Sequence, residues 1–264
     1  MDLSTISIIR SGPQDRVATV TLQRPEMRNA FNARSIEELT WAFERLSADD
    51  SLRAIVLAAQ GSAFCAGADL NWMRAMADYS DAENLADAAG LAAMLSTIYR
   101  CRHPVVACVQ GDAYAGGMGL VAACDIAVAA DTVHFCLSEV RLGLIPATIS
   151  PYVIKAMGEQ SARRYFLTAE RFSAAEAQRI GFVHEVVAPE ALTARVATLV
   201  DLLTGAGPHA VRATKRLVHD IAGAVIEPAL IADTAARIAA VRASPEGKEG
   251  VRAFLDKRKP SWLH

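Results

Sequence analysis

One stretch of the chain, residues 109–131, constrains the fold more than any other part. Apolar β-type residues lead into it, and the pair Gly116-Gly117 then opens an apolar run typical of a helix, Leu120–Cys124. Glycines at the start of a helix let a ligand approach the backbone closely, because no Cβ is in the way. The first amides of a helix have no partners within it, and the positive end of the helix dipole lies there. Two interpretations stay open here: a close-packed turn without a ligand, or a donor site for an oxygen that becomes anionic during a reaction.

The overall composition argues against several classes of function. Among 264 residues, 52% are hydrophobic and 21% are charged, which is ordinary for a globular protein. The net charge of −2 gives no support to a nucleic-acid partner or an acidic membrane surface. No apolar run approaches the roughly 20 residues of a membrane span, and the first residues show no signal or presequence pattern. We therefore expect a cytoplasmic protein that binds neither nucleic acid nor membrane.

The cysteines and histidines form no metal or redox pattern. The five cysteines are odd in number, and no pair has the spacing of a zinc knuckle or a redox pair. Most of them lie in apolar surroundings, which is typical of small buried side chains in a reducing compartment. The six histidines form no HExxH motif and no cluster of ligands. We therefore expect no metal site.

Strand, glycine turn and helix patterns follow one another along the first two thirds of the chain. This order predicts an α/β fold, and the partial echo between the turns after Leu57 and Val109 favours stacked β-β-α units. After Pro189 the pattern is helical. We predict a core over residues 1–195 and a helical oligomerisation region over residues 196–264. The predicted elements are a hairpin around Gly12–Asp15, helices over 29–50, from Asp69 onward and over 81–101, and strands over 52–59, 125–130 and 134–139. Residues 103–111 are predicted as a strand that leads into a turn at Gln110–Asp112.

Three ordered motifs together resemble the crotonase (enoyl-CoA hydratase/isomerase) superfamily. They are AFCAGADL (63–70), QGDAYAGGMGLVAACDIAVAAD (110–131) and FCLSEVRLGLIP (135–146). The resemblance covers nearly the whole chain, because 23–32, 176–187 and 249–262 also match family segments. Residues 138–159 look most similar to the bacterial methylglutaconyl-CoA hydratase branch, which works in leucine and acyclic terpenoid breakdown.

The resemblance implies a fold and an assembly as well as a substrate. The fold is a crotonase-like spiral of β-β-α units followed by a helical trimerisation region, and the assembly is a homotrimer or a dimer of trimers. The implied partner is an acyl-CoA thioester. Coenzyme A is then part of the substrate, and no separate cofactor is implied.

The resemblance also assigns catalytic positions, and elementary chemistry supports them. Two backbone amides, matching Ala68 and Gly116, would hold the thioester oxygen, because an enolate-like transition state places negative charge there. The acid/base residue would be Glu139, the family's second glutamate. Apolar neighbours such as Phe135 and Leu142 should desolvate its carboxyl group and raise its pKa toward the working pH. Without the two amide motifs, Glu139 would be interpreted as an ordinary surface glutamate at a strand end.

One position departs from the family pattern. Typical hydratases carry another glutamate in the glycine-rich turn, and the aligned residue here is Gly119. Three outcomes stay open: Glu139 alone serves as acid and base, another group enters the site, or the natural reaction is different. The candidate groups are Tyr114 and a carboxylate of the substrate, for which Gly119 is expected to leave room.

Further positions are carried over as contacts to the substrate or its coenzyme A. Arg28 and Lys257 would reach CoA phosphates, the latter from a neighbouring subunit, although solvated surface charge is the alternative for both. The expected substrate- and CoA-binding residues are Arg28, Ala30, Ala66, Asp69, Leu70, Tyr114, Gly117 and Lys257.

Three functional hypotheses follow. The first is a hydratase that adds water to a 2-enoyl-CoA, with a branched or carboxylated acyl group such as 3-methylglutaconyl-CoA. The second is an enoyl-CoA isomerase that uses Glu139 alone, which Gly119 favours; a CoA-thioester hydrolase is a weaker sibling. The third is a non-catalytic acyl-CoA binder or RNA-binding relative, against which the net charge and the intact amide motifs both argue.

Overall fold

The computed structural model describes residues 1–263, which form ten strands and ten helices joined by short turns. The strands are β1 (Ile6–Ser11), β2 (Val17–Leu22), β3 (Ala54–Ala59), β4 (Ala63–Cys65), β5 (Val105–Val109), β6 (Asp112–Tyr114), β7 (Ile126–Ala130), β8 (His134–Cys136), β9 (Phe172–Ser173) and β10 (Glu185–Val187). The helices are α1 (Ala33–Ala48), α2 (Leu70–Met76), α3 (Asp81–Tyr99), α4 (Gly116–Ala123), α5 (Ser150–Thr168), α6 (Ala174–Arg179), α7 (Leu192–Gly205), α8 (Pro208–Ile221), α9 (Pro228–Ala243) and α10 (Pro245–Leu255).

The strands form two sheets, and each repeating unit of the chain contributes one strand to each sheet. The larger sheet has the order β1-β2-β3-β5-β7-β10, and the smaller has the order β4-β6-β8-β9. In the units that start at β3, β5 and β7, the first strand joins the larger sheet and the next joins the smaller one, and a helix or helical turn follows. Within each sheet these strands run parallel. The predicted α/β spiral of β-β-α units is confirmed.

Some predicted element boundaries are wrong. The strand predicted over 134–139 ends at Cys136, and Glu139 lies in a helical turn instead. Asp112, predicted as the last residue of a turn, starts the short strand β6, which pairs on both sides. The helix predicted over 29–50 starts only at Ala33, because the side chain of Asn32 accepts a hydrogen bond from the Ser35 amide and caps it there.

The N-terminal strand is anchored to α1 by the buried carboxylate of Glu38. This carboxylate accepts hydrogen bonds from the amides and hydroxyls of Ser4 and Thr5, from the amide of Ile6, and from Arg34. Burial alone would raise the pKa of Glu38, but the hydrogen bonds from Thr5 and Ser4 outweigh it and lower the pKa to about 2. The charged form is therefore the one that stabilises the fold.

We expect Glu38→Ala to lower the free energy of unfolding at pH 7 by about 3 kcal/mol, because it leaves buried donors without an acceptor. The contribution of Glu38 should be present above its ordinary pKa of 4.5 and should be lost as the pH falls toward 2. Denaturant unfolding at pH 7 and at pH 3 measures both effects. The neighbouring Glu37, which is 62% exposed, is the control, and its alanine variant should lose less than about 0.5 kcal/mol.

The C-terminal helices α7–α10 differ in how many of their side chains are buried. Helix α7 packs on β5 and β7 through Leu192, Val196 and Val200, so the predicted boundary at residue 195 falls inside a helix that covers the sheet. In the described part of α8–α10, by contrast, the buried residues are Pro208 and Ala253. His264, the last residue of the predicted region 196–264, lies outside the described residues. No helix within residues 1–263 is both long and apolar enough to cross a bilayer.

Candidate active site

The candidate site lies at the carboxyl ends of β4, β6 and β8, which are parallel neighbours in the smaller sheet. Because parallel strands end at the same edge of a sheet, the residues that follow them come together there. Ala68 follows β4, Gly116 follows β6 and Glu139 follows β8. The amide of Ala115 donates to the carbonyl of Cys136 at 2.8 Å and ties the last two turns together. The three predicted catalytic positions thus share one edge.

The amide of Ala68 is oriented by a bridge to Phe31. The Phe31 amide donates to the Gly67 carbonyl at 2.7 Å, and the Phe31 carbonyl accepts from the Asp69 amide at 2.7 Å. A parallel bridge of this kind uses the groups on either side of Ala68, so the N–H of Ala68 itself points away from Phe31. No acceptor within residues 1–263 receives it. This amide is available to a ligand.

The second amide is that of Gly116, the first residue of α4. The preceding residue, Ala115, has φ 48° and gives the helix no side-chain cap. The Gly116 amide finds no acceptor among the described residues, and it lies at the positive end of the helix dipole. It can therefore stabilise an oxygen that gains negative charge.

Two glycines let the two turns touch. Gly67 has φ +92°, and a Cβ added there would lie 3.0 Å from the Cβ of Ala115 and 3.9 Å from the amide nitrogen of Gly116. A Cβ at Gly117 would lie 2.9 Å from the Cβ of Cys65 and closer still to its carbonyl oxygen. Gly117 therefore serves the close packing of α4 on β4, and both turns border the same space.

Glu139 begins a single helical turn, Glu139–Leu142, which is separated from the end of β8 by Leu137 and Ser138. Its side chain is half-buried, and its Oε2 atom is buried without a hydrogen-bond partner among the described residues. Burial raises the pKa of Glu139 above its ordinary value of 4.5. A carboxyl group that is held without a structural partner and titrates at raised pH is suited to take up and release protons.

We expect Glu139→Gln to be more stable than the wild type at neutral pH. A raised pKa in the folded state means that the fold binds this proton more tightly than the unfolded chain, so stability is lost as the pH rises from 4.5 through the raised value. Glutamine does not ionise, so the variant does not lose this stability as the pH rises. Thermal unfolding should give a higher Tm for the variant at pH 8 and a smaller difference at pH 4. A variant that melts below the wild type at pH 8 would contradict this account.

The expectation that Gly119 leaves room for a substrate carboxylate is wrong. Gly119 is buried, and a Cβ there would lie 2.9 Å from the Cβ of Ile149, closer still to its Cγ2, and 3.5 Å from Cδ2 of Leu95. Ile149 is 2% exposed and comes just before α5. The space that a second catalytic carboxylate would need is therefore filled by an apolar side chain.

Tyr114, the other candidate for an additional catalytic group, is engaged elsewhere. Its hydroxyl donates to Oδ2 of Asp112 at 3.1 Å, and Arg171 donates to the same oxygen at 2.8 Å. Burial and the Asp112 carboxylate together raise the pKa of Tyr114. The phenol hydroxyl therefore points back along β6, away from the edge that holds Gly116.

The predicted coenzyme A contacts fall into two groups. Around the site, Arg28 is exposed with φ 50°, and its carbonyl accepts from the Ala66 amide at 3.0 Å. Ala30 is buried, and Leu70 is 64% exposed. Lys257 is exposed beyond α10, in the C-terminal segment whose Trp262 carbonyl binds Arg16 before β2. Within one chain, Lys257 is thus not among the residues gathered at the site.

Asp69 has structural partners for its carboxylate. It is 3% exposed, pairs with Arg24 at 2.8 Å, and caps α2 by accepting from the amides of Asn71 and Trp72. Burial alone would raise the pKa of Asp69, but the hydrogen bond from Arg24 and the two amides lower it. Its side chain holds the turn around Ala68 in place.

Residues that the sequence did not single out complete the site. Phe31 orients Ala68 and covers Gly116, whose added Cβ would lie 2.7 Å from the phenyl ring. Asn29 is 4% exposed with φ 54°, and its side-chain amide binds the carbonyls of Gln60 and Ala63. Both residues lie in segment 23–32, which matches a family segment, and an asparagine in a turn was a further signal for Asn29. No group of three or more residues able to hold a metal ion occurs within residues 1–263.

Nearly the whole chain is similar to known enoyl-CoA hydratases, both in sequence and in structure. Residues 12–264 match the family model described as enoyl-CoA hydratase/isomerase. The crystal structure of an enoyl-CoA hydratase from Shewanella pealeana is 40% identical, with a TM-score of 0.94 over 98% of this chain and 96% of that one. An enoyl-CoA hydratase structure from Mycobacterium smegmatis is 36% identical, with a TM-score of 0.93 over 99% and 100%. A mevalonyl-coenzyme A hydratase of Aspergillus fumigatus is 32% identical over 96% of this chain and 93% of its own length.

Proposed function

The chain belongs to the enoyl-CoA hydratase/isomerase family, the crotonase superfamily, and from that premise we propose that it adds water reversibly to the double bond of a 2-enoyl-CoA thioester. The observation that carries the proposal is the shared edge of the small sheet. Two main-chain amides without acceptors, those of Ala68 and Gly116, follow strands that end at this edge, as does the partly buried carboxyl group of Glu139. That combination suits a reaction in which a carbonyl oxygen becomes negative while a proton moves nearby.

In the proposed reaction the thioester oxygen accepts hydrogen bonds from Ala68 and Gly116. Addition at C3 moves the electrons of the C2–C3 double bond toward this oxygen and produces an enolate. Each preorganised amide of this kind typically lowers the barrier by about 3–4 kcal/mol. Since neither amide has a structural partner, no internal hydrogen bond must break when the substrate binds.

Glu139 would move the protons. As a carboxylate it takes a proton from water while the water oxygen bonds to C3, and as a carboxylic acid it returns a proton to C2 of the enolate. One residue thus serves as base and then as acid, which its raised pKa favours. This scheme requires no carboxylate at position 119. It is therefore compatible with Ile149, whose side chain occupies the space next to Gly119.

A second candidate reaction is isomerisation of an enoyl-CoA. It needs one carboxyl group, which takes a proton from C2 of a 3-enoyl-CoA and delivers it to C4, and it needs no bound water. The same observation at Gly119 and Ile149 favours it, because water has no second carboxylate to hold it. The amides of Ala68 and Gly116 would stabilise the same enolate oxygen.

For the acyl group we propose a branched or carboxylated chain, with 3-methylglutaconyl-CoA of leucine degradation as the first substrate to test. The similarity of residues 138–159 to the methylglutaconyl-CoA hydratase branch supports this choice. A relative named as a mevalonyl-coenzyme A hydratase supports a branched chain. Because Ile149 fills the space at Gly119, a carboxylate on the substrate would have to lie elsewhere.

A turnover assay separates the hypotheses. The purified protein is given crotonyl-CoA, 3-methylglutaconyl-CoA and a 3-enoyl-CoA, and both the conjugated thioester absorbance and the double-bond position are followed. Loss of absorbance with a 3-hydroxyacyl-CoA product supports the hydratase. Gain of absorbance from the 3-enoyl-CoA alone supports the isomerase, and release of free thiol supports the hydrolase. Binding without turnover of any of them would support a non-catalytic acyl-CoA binder.

We also propose a cytoplasmic homotrimer or dimer of trimers. The support is the C-terminal helices, where large apolar side chains are left exposed in the single chain: Val218 is 57%, Ile231 57%, Ile238 48% and Phe254 82% exposed. In such an assembly Lys257 could reach the coenzyme A of a neighbouring subunit. Analytical ultracentrifugation tests the assembly, and a monomer at micromolar concentration would contradict it.

A further inference from the structure

A second chemically distinctive place lies between the end of α3 and helix α8. It is a cavity of about 470 Å³, which we call the basic cavity. Lys215 on its wall donates to the His103 carbonyl and to Asp125, and Asp125 in turn accepts from the amide of Val105. The cavity therefore borders the amino ends of β5 and β7, whereas the thioester turns follow carboxyl ends of strands. The charged and imidazole side chains of its lining that matter here are Arg100, Arg102, Arg212, Lys215, Arg216 and His219.

Cations outnumber carboxylates on the wall of the basic cavity. Asp50 binds both Arg102 and Arg212 through the same oxygen, each at 2.8 Å. Asp125 binds Lys215 at 2.6 Å. The carboxylate on the wall itself, Asp220, is paired at 2.6 Å with Arg237, which does not line the cavity. The positive charge of the wall is thus only partly neutralised.

Two arginines of the wall have no carboxylate partner. Within residues 1–263, neither Arg100 nor Arg216 lies within 4 Å of a carboxylate oxygen, and both are exposed. Arg100 follows the last turn of α3, where a cation also complements the helix dipole. That explanation does not extend to Arg216, which lies inside α8.

Burial and the excess positive charge lower the pKa values of two neighbouring histidines, His103 and His219. Burial, Arg212 and Arg102 together lower the pKa of His103 to about 4, and neither ring nitrogen of His103 has a hydrogen-bond partner within residues 1–263. Burial and then Lys215 lower the pKa of His219 on the cavity wall. With Arg212 and Lys215 only 14% and 8% exposed, the surrounding charge is weakly screened by solvent.

We propose that the basic cavity binds a phosphate-bearing anion, separately from the thioester site. The guanidinium groups of Arg100 and Arg216, which have no carboxylate partner, offer planar forks of donors that match phosphate oxygens. Lys215 adds a buried positive charge, which Asp125 partly neutralises. The volume accommodates groups from orthophosphate to a diphosphate. Such a ligand would neutralise the unpaired Arg100 and Arg216 and tie the end of α3 to α8.

Calorimetric titration of the full-length protein with pyrophosphate at constant ionic strength tests the proposal. Orthophosphate and ADP are the further probes, which separate a free phosphate from a nucleotide source. We expect pyrophosphate to bind and to raise Tm, and Arg100→Gln/Arg216→Gln to weaken its binding about tenfold or more. Arg242→Gln is the matched control, since Arg242 is an exposed arginine of α9 outside the cavity with no carboxylate partner among the described residues.

Three results would overturn the proposal. The first is no binding of any probe at millimolar concentration. The second is pyrophosphate binding that Arg28→Gln weakens and the cavity variant does not, which would place the anion at the proposed coenzyme A site instead. The third is a cavity variant that changes the sedimentation of the protein without changing probe affinity, which would make the arginines contacts between copies of the chain. Activity toward enoyl-CoA is expected to be the same in the cavity variant and the wild type.

Discussion

Glu139→Gln should lower kcat/KM for enoyl-CoA turnover by about 1,000-fold, because general acid/base catalysis by a positioned group contributes roughly 10²–10⁴. The loss should lie in kcat, and KM should change little. In the proposed mechanism the amides of Ala68 and Gly116 would still hold the thioester oxygen in the variant, and glutamine has nearly the same shape as glutamate. Hydration and isomerisation should fall together, since both would depend on the same carboxyl group. Steady-state rates on crotonyl-CoA and on a 3-enoyl-CoA measure the two losses.

The pH profile gives the Glu139 prediction a second readout. The carboxylate is the form that takes the first proton, so activity should fall as the pH drops through the pKa of Glu139. Because burial raises that pKa, the acid limb should lie above the ordinary value of 4.5. Glu159→Gln, a change at a 74% exposed glutamate on α5, should keep both the rate and the acid limb. A Glu139→Gln variant that retained more than a tenth of the wild-type rate would remove Glu139 from the mechanism.

The candidate positions Ala68, Gly116 and Glu139 were found through the resemblance of three sequence motifs to the crotonase superfamily, and the strand order explains why such positions meet. Once the turns after 65, 114 and 136 are recognised as equivalent, parallel pairing brings Ala68, Gly116 and Glu139 to one edge. Asp69 is likewise visible as a helix cap before an apolar run. Local pattern alone left the glycine turn and Glu139 without a function, and the family resemblance supplied it.

The features that were missed depend on contacts between distant segments. The bridge between Phe31 and Ala68 fixes the direction of an amide, and it joins residues that have no common motif. Strand β6 has three residues and resembles a turn until its two neighbours pair with it. The contact of Gly119 with Ile149 likewise results from the packing of α4 against α5. In the sequence this glycine suggests free space beside the helix, but in the structure the side chain of Ile149 occupies that space.

The second large effect concerns this contact. Gly119→Glu alone should lower the free energy of unfolding by about 3 kcal/mol or more, because its Cβ would lie 2.9 Å from that of Ile149 and its carboxylate would be buried without a partner. Ile149→Ala alone should cost about 2–5 kcal/mol through the cavity that it leaves. In the double variant the new side chain fills that cavity. The double variant should therefore lose less stability than the two single losses combined, and we expect a coupling free energy of roughly 0.5–3 kcal/mol. Denaturant unfolding of the wild type, the two single variants and the double variant measures it.

The same cycle tests the chemistry, because it introduces a second carboxylate at the position where typical hydratases of the family carry one. If one-carboxylate chemistry limits hydration here, Gly119→Glu/Ile149→Ala should hydrate crotonyl-CoA faster than Ile149→Ala. Gly119→Gln/Ile149→Ala is the control, since it has nearly the same shape without the charge, and it should show no gain. Additive losses of stability would mean that the glutamate side chain does not occupy the space left by Ile149. Equal rates for the glutamate and glutamine double variants would mean that Glu139 needs no partner for the addition of water.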